Sequence, residues 1–392
     1  MRPHTWIFLS CYSFLLASCE DSRGQNEPSS PDIQFVQDIA MPDGSLPDAR
    51  DMRHTVDGHF DIGTDAGPDA SANTDSEVAD ADVTQSLTPG EHAFTIQTED
   101  GRTRRYIVHV PGGLVPRPPV VLVLHGGGGS AAGAKNEYGF DETANAHGFL
   151  AVYPEGIDSR SNITNGPSAT WNGGACCGDA SAMNVDDVGF IRQLLDDLAE
   201  RQSFDTKRVY ATGFSNGGSM SHRLACELSE RIAAVAPVGA PFEEIPCTPP
   251  RSVAILFVHG TDDRCARFDG GAVCGGCFQR IIGSPEAGTY PCVSIASGVE
   301  RWRALNQCED DAVETYQNGA ATCRAWACRD NTAVGFCEIM GMGHHFPGTS
   351  DFPFCERPRS RLCMNAMREL GMPNSDFNND QLWLFLSEHR QP

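Results

Sequence analysis

The stretch Gly213-Phe214-Ser215-Asn216-Gly217 constrains this chain more than any other. It has the G-x-S-x-G form of a tight strand-to-helix turn that holds a serine at its tip. Arg208-Val209-Tyr210-Ala211-Thr212 precedes it and reads as a buried strand. Met220, Leu224 and Leu228 follow at four-residue spacing, one apolar stripe of a helix. Gly213 and Gly217 carry no Cβ, so the two arms of the turn can approach closely. Ser215 would stand exposed above a helix N-terminus, which favours developing negative charge.

Other strands and helices surround this turn. Phe94–Ile96 and Tyr106–Val110 flank Asp100-Gly101 and predict a hairpin. Pro119–Leu124 is a continuous apolar run, a central strand, and leads into His125-Gly126-Gly127-Gly128-Gly129-Ser130. Such a glycine loop can turn backbone N–H groups inward as an oxyanion hole. It lacks the Gly-Lys-Ser/Thr ending of a phosphate loop. A helix around Asp141–His147 leads to a strand at Phe149–Tyr153. Asp186 or Asp187 caps a helix through Glu200, with Phe190, Leu194, Leu195 and Leu198 inward. Ile232–Val238, Val253–Val258 and Val334–Met340 are further strands. The alternation predicts an α/β fold with a doubly wound, mostly parallel sheet. The strand at Val253–Val258 runs into a loop with Asp262 and Asp263, and the strand at Val334–Met340 into one with His344 and His345. Serine, acid and histidine thus occur in α/β-hydrolase order, each after a strand, where ligands of such sheets bind.

The cysteines place the chain in a compartment. Fourteen of the sixteen lie from Cys176 onward, an even number that suits disulfides in an oxidising environment. The competing readings are a metal site at Cys265, Cys274, Cys277 and Cys292, and a redox pair at Cys274 and Cys277. The latter lacks the βαβ context of a thioredoxin-like protein.

At the other end, Arg2 and His4 precede an apolar run from Trp6 to Ala17, too short to cross a bilayer as a helix. Residues 1–19 read as a signal peptide. Leu16-Ala17-Ser18-Cys19 resembles the lipobox of bacterial lipoproteins, which implies lipidation at Cys19 and contact with a membrane only through that lipid; an ordinary secretory signal is the alternative. Either signal implies export. Residues 20–88 hold sixteen acids against three arginines, thirteen of the chain's twenty-three net negative charges. With only Phe35 and Phe60 as aromatics, they are expected to be a disordered acidic tether. Asp57–Asp61 and Asp61–Asp65 lack the spacing of a calcium loop. No clustered Lys and Arg mark a nucleic-acid surface. The folded domain is expected over 89–392.

Within that domain five stretches resemble one family. They are His125–Ser130, Trp171-Asn172-Gly173-Gly174-Ala175-Cys176-Cys177, Arg208–Met220, His259-Gly260-Thr261-Asp262-Asp263 and Gly341-Met342-Gly343-His344. They look like the esterases that include secreted feruloyl esterases and polyhydroxybutyrate depolymerases, over about residues 92–390. The resemblance implies an α/β-hydrolase fold with Ser215 as nucleophile, Asp263 as acid and His344 as base. It also implies a serine mechanism without metal or cofactor. Asn216 N–H and Gly127 N–H, or Gly126 N–H in a shifted register, are the expected oxyanion donors, and Trp171 is expected to line the substrate. The resemblance fits esters linked to plant polysaccharide and polyesters alike. The aromatic-poor tether and the cysteine-stapled segments, which suggest a walled pocket for a soluble ester, lead to the expectation of a feruloyl or similar aryl ester, with a polyester or acetyl ester as the alternative. A catalytically silent binding module on the same fold is the reading from another class. Phe346 stands where the family usually has Trp. Arg264–Ser297 and Asp351–Cys363 are cysteine-bearing insertions on the catalytic face, placed as a lid that would alter substrate choice. Seven disulfides are expected, with Cys226–Cys247 and Cys355–Cys363 among them and Cys176 and Cys177 not paired with each other.

Overall fold

The structure, a computed structural model, describes residues 86–158, 169–176, 178–242, 245–282, 289–348 and 360–392. The expected signal peptide with Cys19, the tether up to residue 85, and the partners Cys177 and Cys355 lie outside the described residues. In chain order the elements begin β1 (Gly90–Gln97), β2 (Thr103–Val110), β3 (Val120–Leu124), α1 (Ala131–Glu137), α2 (Phe140–His147), β4 (Leu150–Pro154) and α3 (Asp179–Ala182). They continue α4 (Asp187–Arg201), β5 (Val209–Phe214), α5 (Asn216–Glu227), β6 (Ala234–Val238), β7 (Ala254–Gly260) and β8 (Gly271–Gly275). The last are α6 (Cys277–Ile282), β9 (Thr289–Cys292), α7 (Ile295–Asn306), β10 (Val313–Asn318), β11 (Ala321–Ala327), β12 (Ala333–Ile339), α8 (Arg361–Leu370) and α9 (Asn379–Ser387).

Ten strands form one sheet in the order β1-β2-β4-β3-β5-β6-β7-β12-β11-β10. From β4 to β12 the neighbours are parallel, and antiparallel pairs finish both edges. All five residues of β3, β4 and β6 and all seven of β7 are buried, because helices cover both faces of a parallel sheet. One apolar layer joins α4, α5 and α7 to the sheet through Phe190, Leu194, Met220, Leu224 and Trp302. The opposite layer joins α1, α2 and α9 through Ala134, Phe140, Ala144, Trp383 and Leu386. This is the doubly wound α/β-hydrolase architecture. Asp186 caps α4 by accepting the Gly189 N–H at 2.8 Å.

Two features go beyond the sequence reading. The hairpin β10–β11 follows α7, where no strand was expected. Its outer strand is largely exposed and carries a bulge between Glu314 and Tyr316. The insertion after Asp263 folds on its own plan: β8 and β9 form a separate two-stranded sheet, with α6 between them in the chain. Disulfides join Cys226–Cys247, Cys265–Cys277, Cys274–Cys292, Cys308–Cys328 and Cys323–Cys337, and Cys176 and Cys363 are also disulfide-bonded. Cys226–Cys247 was expected. Cys274 and Cys277 bond to different partners, which removes the redox-pair reading, and all four insertion cysteines are oxidised, which removes the zinc reading.

Candidate active site

The turn between β5 and α5 is as tight as its glycines suggest. A Cβ on Gly213 would run into the Gly217 carbonyl, and one on Gly217 into the carbonyls of Leu124 and His125. Ser215 sits between them at φ 54°, ψ −120°, a conformation rarely adopted by a residue with a side chain. Its N–H donates to Val238 O at 2.9 Å, and its carbonyl accepts the Ser219 N–H at 3.0 Å. The neighbouring strand and the first turn of the helix therefore hold the strained residue in place.

Ser215 Oγ lies 2.9 Å from His344 Nε2, and His344 Nδ1 lies 2.7 Å from Asp263 Oδ2. Residues from three strand ends thus meet in one hydrogen-bonded line. The other carboxylate oxygen, Asp263 Oδ1, accepts the N–H groups of Cys265 and Ala266, each at 2.8 Å. Burial alone would raise this carboxyl. The His344 imidazole beside it, with His259 and the Ala266 amide, outweighs burial and holds Asp263 below the ordinary carboxylate range. Asp262 is exposed, and its N–H donates to Met342 O. His345 is 4 % exposed and bonds Gly371 O at 3.1 Å. Burial pushes its pKa down to about 4.

The glycine loop packs directly against the turn. The Gly126 N–H faces the Tyr138 hydroxyl at 3.2 Å, the Gly128 N–H donates to Ala169 O at 2.8 Å, and the Gly129 N–H to Gly126 O at 3.0 Å. Among the described residues, the N–H groups of Gly127 and Asn216 have no protein acceptor. They are the two donors expected for the oxyanion, and the engagement of Gly126 favours Gly127 over it.

Trp171 corrects the sequence reading. It is fully buried, with its Nε1–H on His125 O at 2.9 Å. It stands behind the glycine loop rather than in a substrate wall: the side chain is fully buried, and its one polar atom is spent on a buried carbonyl.

Several contributors were missed. Phe214 lies 4.6 Å, ring to ring, from His344, and Tyr138 stacks on Phe346 at 4.5 Å. His259 sits 3.4 Å from Asp263 Oδ2 and bonds Ala266 O at 2.7 Å. Sequence reasoning missed this pairing because His259 ends β7 and Asp263 lies in the loop after it, so their four-residue spacing is not that of one helix face. The insertion after Asp263 and helix α8 also brace His344. α6 and α8 share a small apolar core of Cys265, Cys277, Ile281, Ala366 and Leu370, and Arg280 bonds Glu369 at 2.8 Å. The end of α8 then receives the His344 N–H on Leu370 O, while Met372 O takes the Gly343 N–H.

Asp263, Cys265 and His344 present donor atoms within 4.8 Å of one another, the spacing of a metal site. The fit is poor. The Cys265 sulfur is bonded to Cys277 and offers no thiolate, and both carboxylate oxygens of Asp263 are already filled.

No family model matches the chain. "Putative esterase NocK" of Nocardia uniformis subsp. tsuyamanensis is 31 % identical over 266 residues, which are 65 % of this chain and 73 % of that protein. The chain belongs to this α/β-hydrolase esterase family. Within it, feruloyl esterase B of Piromyces equi is 30 % identical over 250 residues, 62 % of this chain and 42 % of that protein. Poly(3-hydroxyalkanoate) depolymerase C of Paucimonas lemoignei is 27 % identical over 213 residues, 54 % of this chain and 47 % of that protein. The chain therefore spans less than half the length of these two esterase relatives.

Proposed function

We propose that this protein is an exported serine carboxylic-ester hydrolase that acts on feruloyl or similar aryl esters attached to polysaccharide. The observation that carries the reading is the line Ser215–His344–Asp263, with separations of 2.9 and 2.7 Å. His344 takes the Ser215 proton as the hydroxyl oxygen attacks the ester carbonyl, then returns it to the leaving alcohol. Asp263 receives the Nδ1–H, which fixes the tautomer and stabilises the imidazolium. The N–H groups of Gly127 and Asn216 take the oxyanion, and each such donor contributes on the order of 3 kcal/mol. Water, activated by the same histidine, then releases the acid from the acyl-serine. No step needs a metal or cofactor.

The disulfides fit an oxidising compartment, and a lipid on Cys19 would hold the protein at the cell surface by residues 20–85. The substrate class rests on the feruloyl esterase among the relatives. A second reading, hydrolysis of an insoluble polyester, is favoured by the exposed apolar side chains Val273, Phe278, Leu362, Met364 and Met372. They lie on the insertion and around α8, the segments that brace the two loops bearing the acid and the base. Assaying the purified protein on methyl ferulate, a chromogenic acetate and a polyhydroxybutyrate suspension separates these readings. Ferulate release fastest of the three supports the first. Clearing of the suspension without ferulate release supports the second.

A further inference from the structure

The two oxyanion donors belong to different elements. Gly127 lies in the loop after β3, and Asn216 opens α5, so no local stretch of chain fixes the distance between them. Trp171 bridges them. Its Nε1–H donates to His125 O at 2.9 Å, two residues before Gly127. Its backbone N–H donates to Asn216 Oδ1 at 2.7 Å, and its carbonyl accepts from Asn216 Nδ2 at 3.0 Å. One residue thus grips the donor loop with its indole and the donor helix with its backbone.

The bridge is itself anchored. The indole lies 4.9 Å, ring to ring, from His125. His125 Nδ1 donates to Gly126 O at 2.8 Å, and Nε2 accepts the Gly156 N–H at 2.9 Å. On the other side the next residue, Asn172, gives its N–H to Asp187 Oδ2 at 2.8 Å. Asp187 Oδ1 pairs with Arg104 at 2.7 Å, both side chains fully buried. Apart from that ring contact, the joints are hydrogen bonds between buried or half-buried groups, and breaking one leaves a partner unsatisfied.

We propose that Trp171 is a positioning residue that sets the spacing of the two oxyanion donors. The proposal rests on the serine-hydrolase reading above. Oxyanion contacts are made in the transition state and not by the bound ester, so a displaced donor lowers kcat and leaves KM nearly unchanged.

Trp171→Phe keeps an aromatic ring and removes the single N–H. Trp302→Phe is the control: Trp302 is equally buried, and its Nε1 has no acceptor among the described residues. Steady-state kinetics on an aryl ester, the rate of Ser215 labelling by a fluorophosphonate, and Tm are measured for each. Trp171→Phe is expected to lower kcat and the labelling rate by about tenfold or more, with KM changed by less than about threefold. Trp302→Phe is expected to lower Tm without that loss. Asn216→Ala keeps the backbone N–H and cuts both side-chain bonds to Trp171. It should lower kcat in the same way, and the double variant with Trp171→Phe should lose little more than the worse single variant. Asn216→Ala also carries the test should Trp171→Phe not fold. Wild-type kcat and labelling in folded Trp171→Phe, or in folded Asn216→Ala, would overturn the proposal, as would an equal kcat loss in Trp302→Phe. A native enzyme that is neither labelled nor active on any ester would instead overturn the hydrolase reading beneath it.

Discussion

The Met342 carbonyl occupies the space into which a Cβ on Gly260 would project. The same oxygen accepts the Asp262 N–H at 3.0 Å. The loop bearing Asp263 and the loop bearing His344 therefore run in contact from the point where they leave the sheet. Their strands are parallel neighbours in register, His259 beside Glu338 and Gly260 beside Ile339. Thr261 adds two bonds, its N–H on Ile339 O at 3.1 Å and its Oγ1 on the Gly341 N–H at 2.8 Å. Asp263 and His344 are eighty-one residues apart in the chain, and this contact sets their relation before either side chain is placed.

Ser215→Ala, His344→Ala and Asp263→Asn should each reduce kcat/KM by roughly 10⁴-fold or more, and double variants should fall little further, because the three act as one unit. Asp262→Asn should stay close to wild type, since its side chain faces solvent. His345→Ala should lower Tm through its lost bond to Gly371 but keep kcat near that of the native enzyme. Inactive but fully folded His345→Ala would reassign the base.

Stability should depend on pH through buried neutral histidines. Burial lowers His125 to about 4 and His222 to about 3, against an ordinary value of 6.5. The unfolded chain therefore takes up protons at a pH where the folded protein does not. The stabilising contribution is complete above about pH 6.5 and is lost as pH falls through the window to about 4 and 3. For shifts of this size it is on the order of 3 kcal/mol per histidine. Tm should be level from pH 8 to about 7 and drop steeply by about pH 4. A level Tm down to pH 4 would show that these imidazoles are not held neutral.

Mass spectrometry of the denatured, unreduced protein after alkylation should find none of the fourteen late cysteines modified. Replacing Cys226 and Cys247 by serines opens a crosslink with a sequence separation of 21. That change should cost about 3 kcal/mol, read as a lower Tm with activity at room temperature retained. Two or more alkylated cysteines in the native protein would contradict a seven-disulfide framework.

Removing residues 20–85 should leave kcat/KM unchanged. Ser86 and Leu87 have to stay: the Leu87 N–H donates to Gln202 Oε1 at 2.9 Å, and the Leu87 side chain packs on the core. A large fall in kcat/KM on removing 20–85 would show that this acidic stretch contributes to the hydrolase.

How much was readable in advance differs from residue to residue. The turn at Ser215 was legible because its glycines answer to backbone contacts made within the motif and with the adjoining strand. The parallel strands were legible because a strand buried on both faces has to be apolar throughout. The choice of Asp263 over Asp262 needed the family spacing, since both acids follow the same strand. Trp171 was misread because its partner, His125, lies forty-six residues away, and an indole beside a glycine-rich stretch looks the same whether it faces substrate or carbonyl. β10 was missed because Val313-Glu314-Thr315-Tyr316-Gln317-Asn318 has few apolar residues and, among the described residues, pairs as a strand only with β11. Nothing in such a segment repeats with the period of a half-buried strand.

That edge strand bears on how the protein behaves among its own copies. An unpaired strand edge offers a row of N–H and C=O groups on which another chain can build. Here the bulge between Glu314 and Tyr316 breaks the even spacing such an addition requires, and Glu314 places a charge beside the break. Copies of the protein that meet at this edge would then find a poor template for sheet growth.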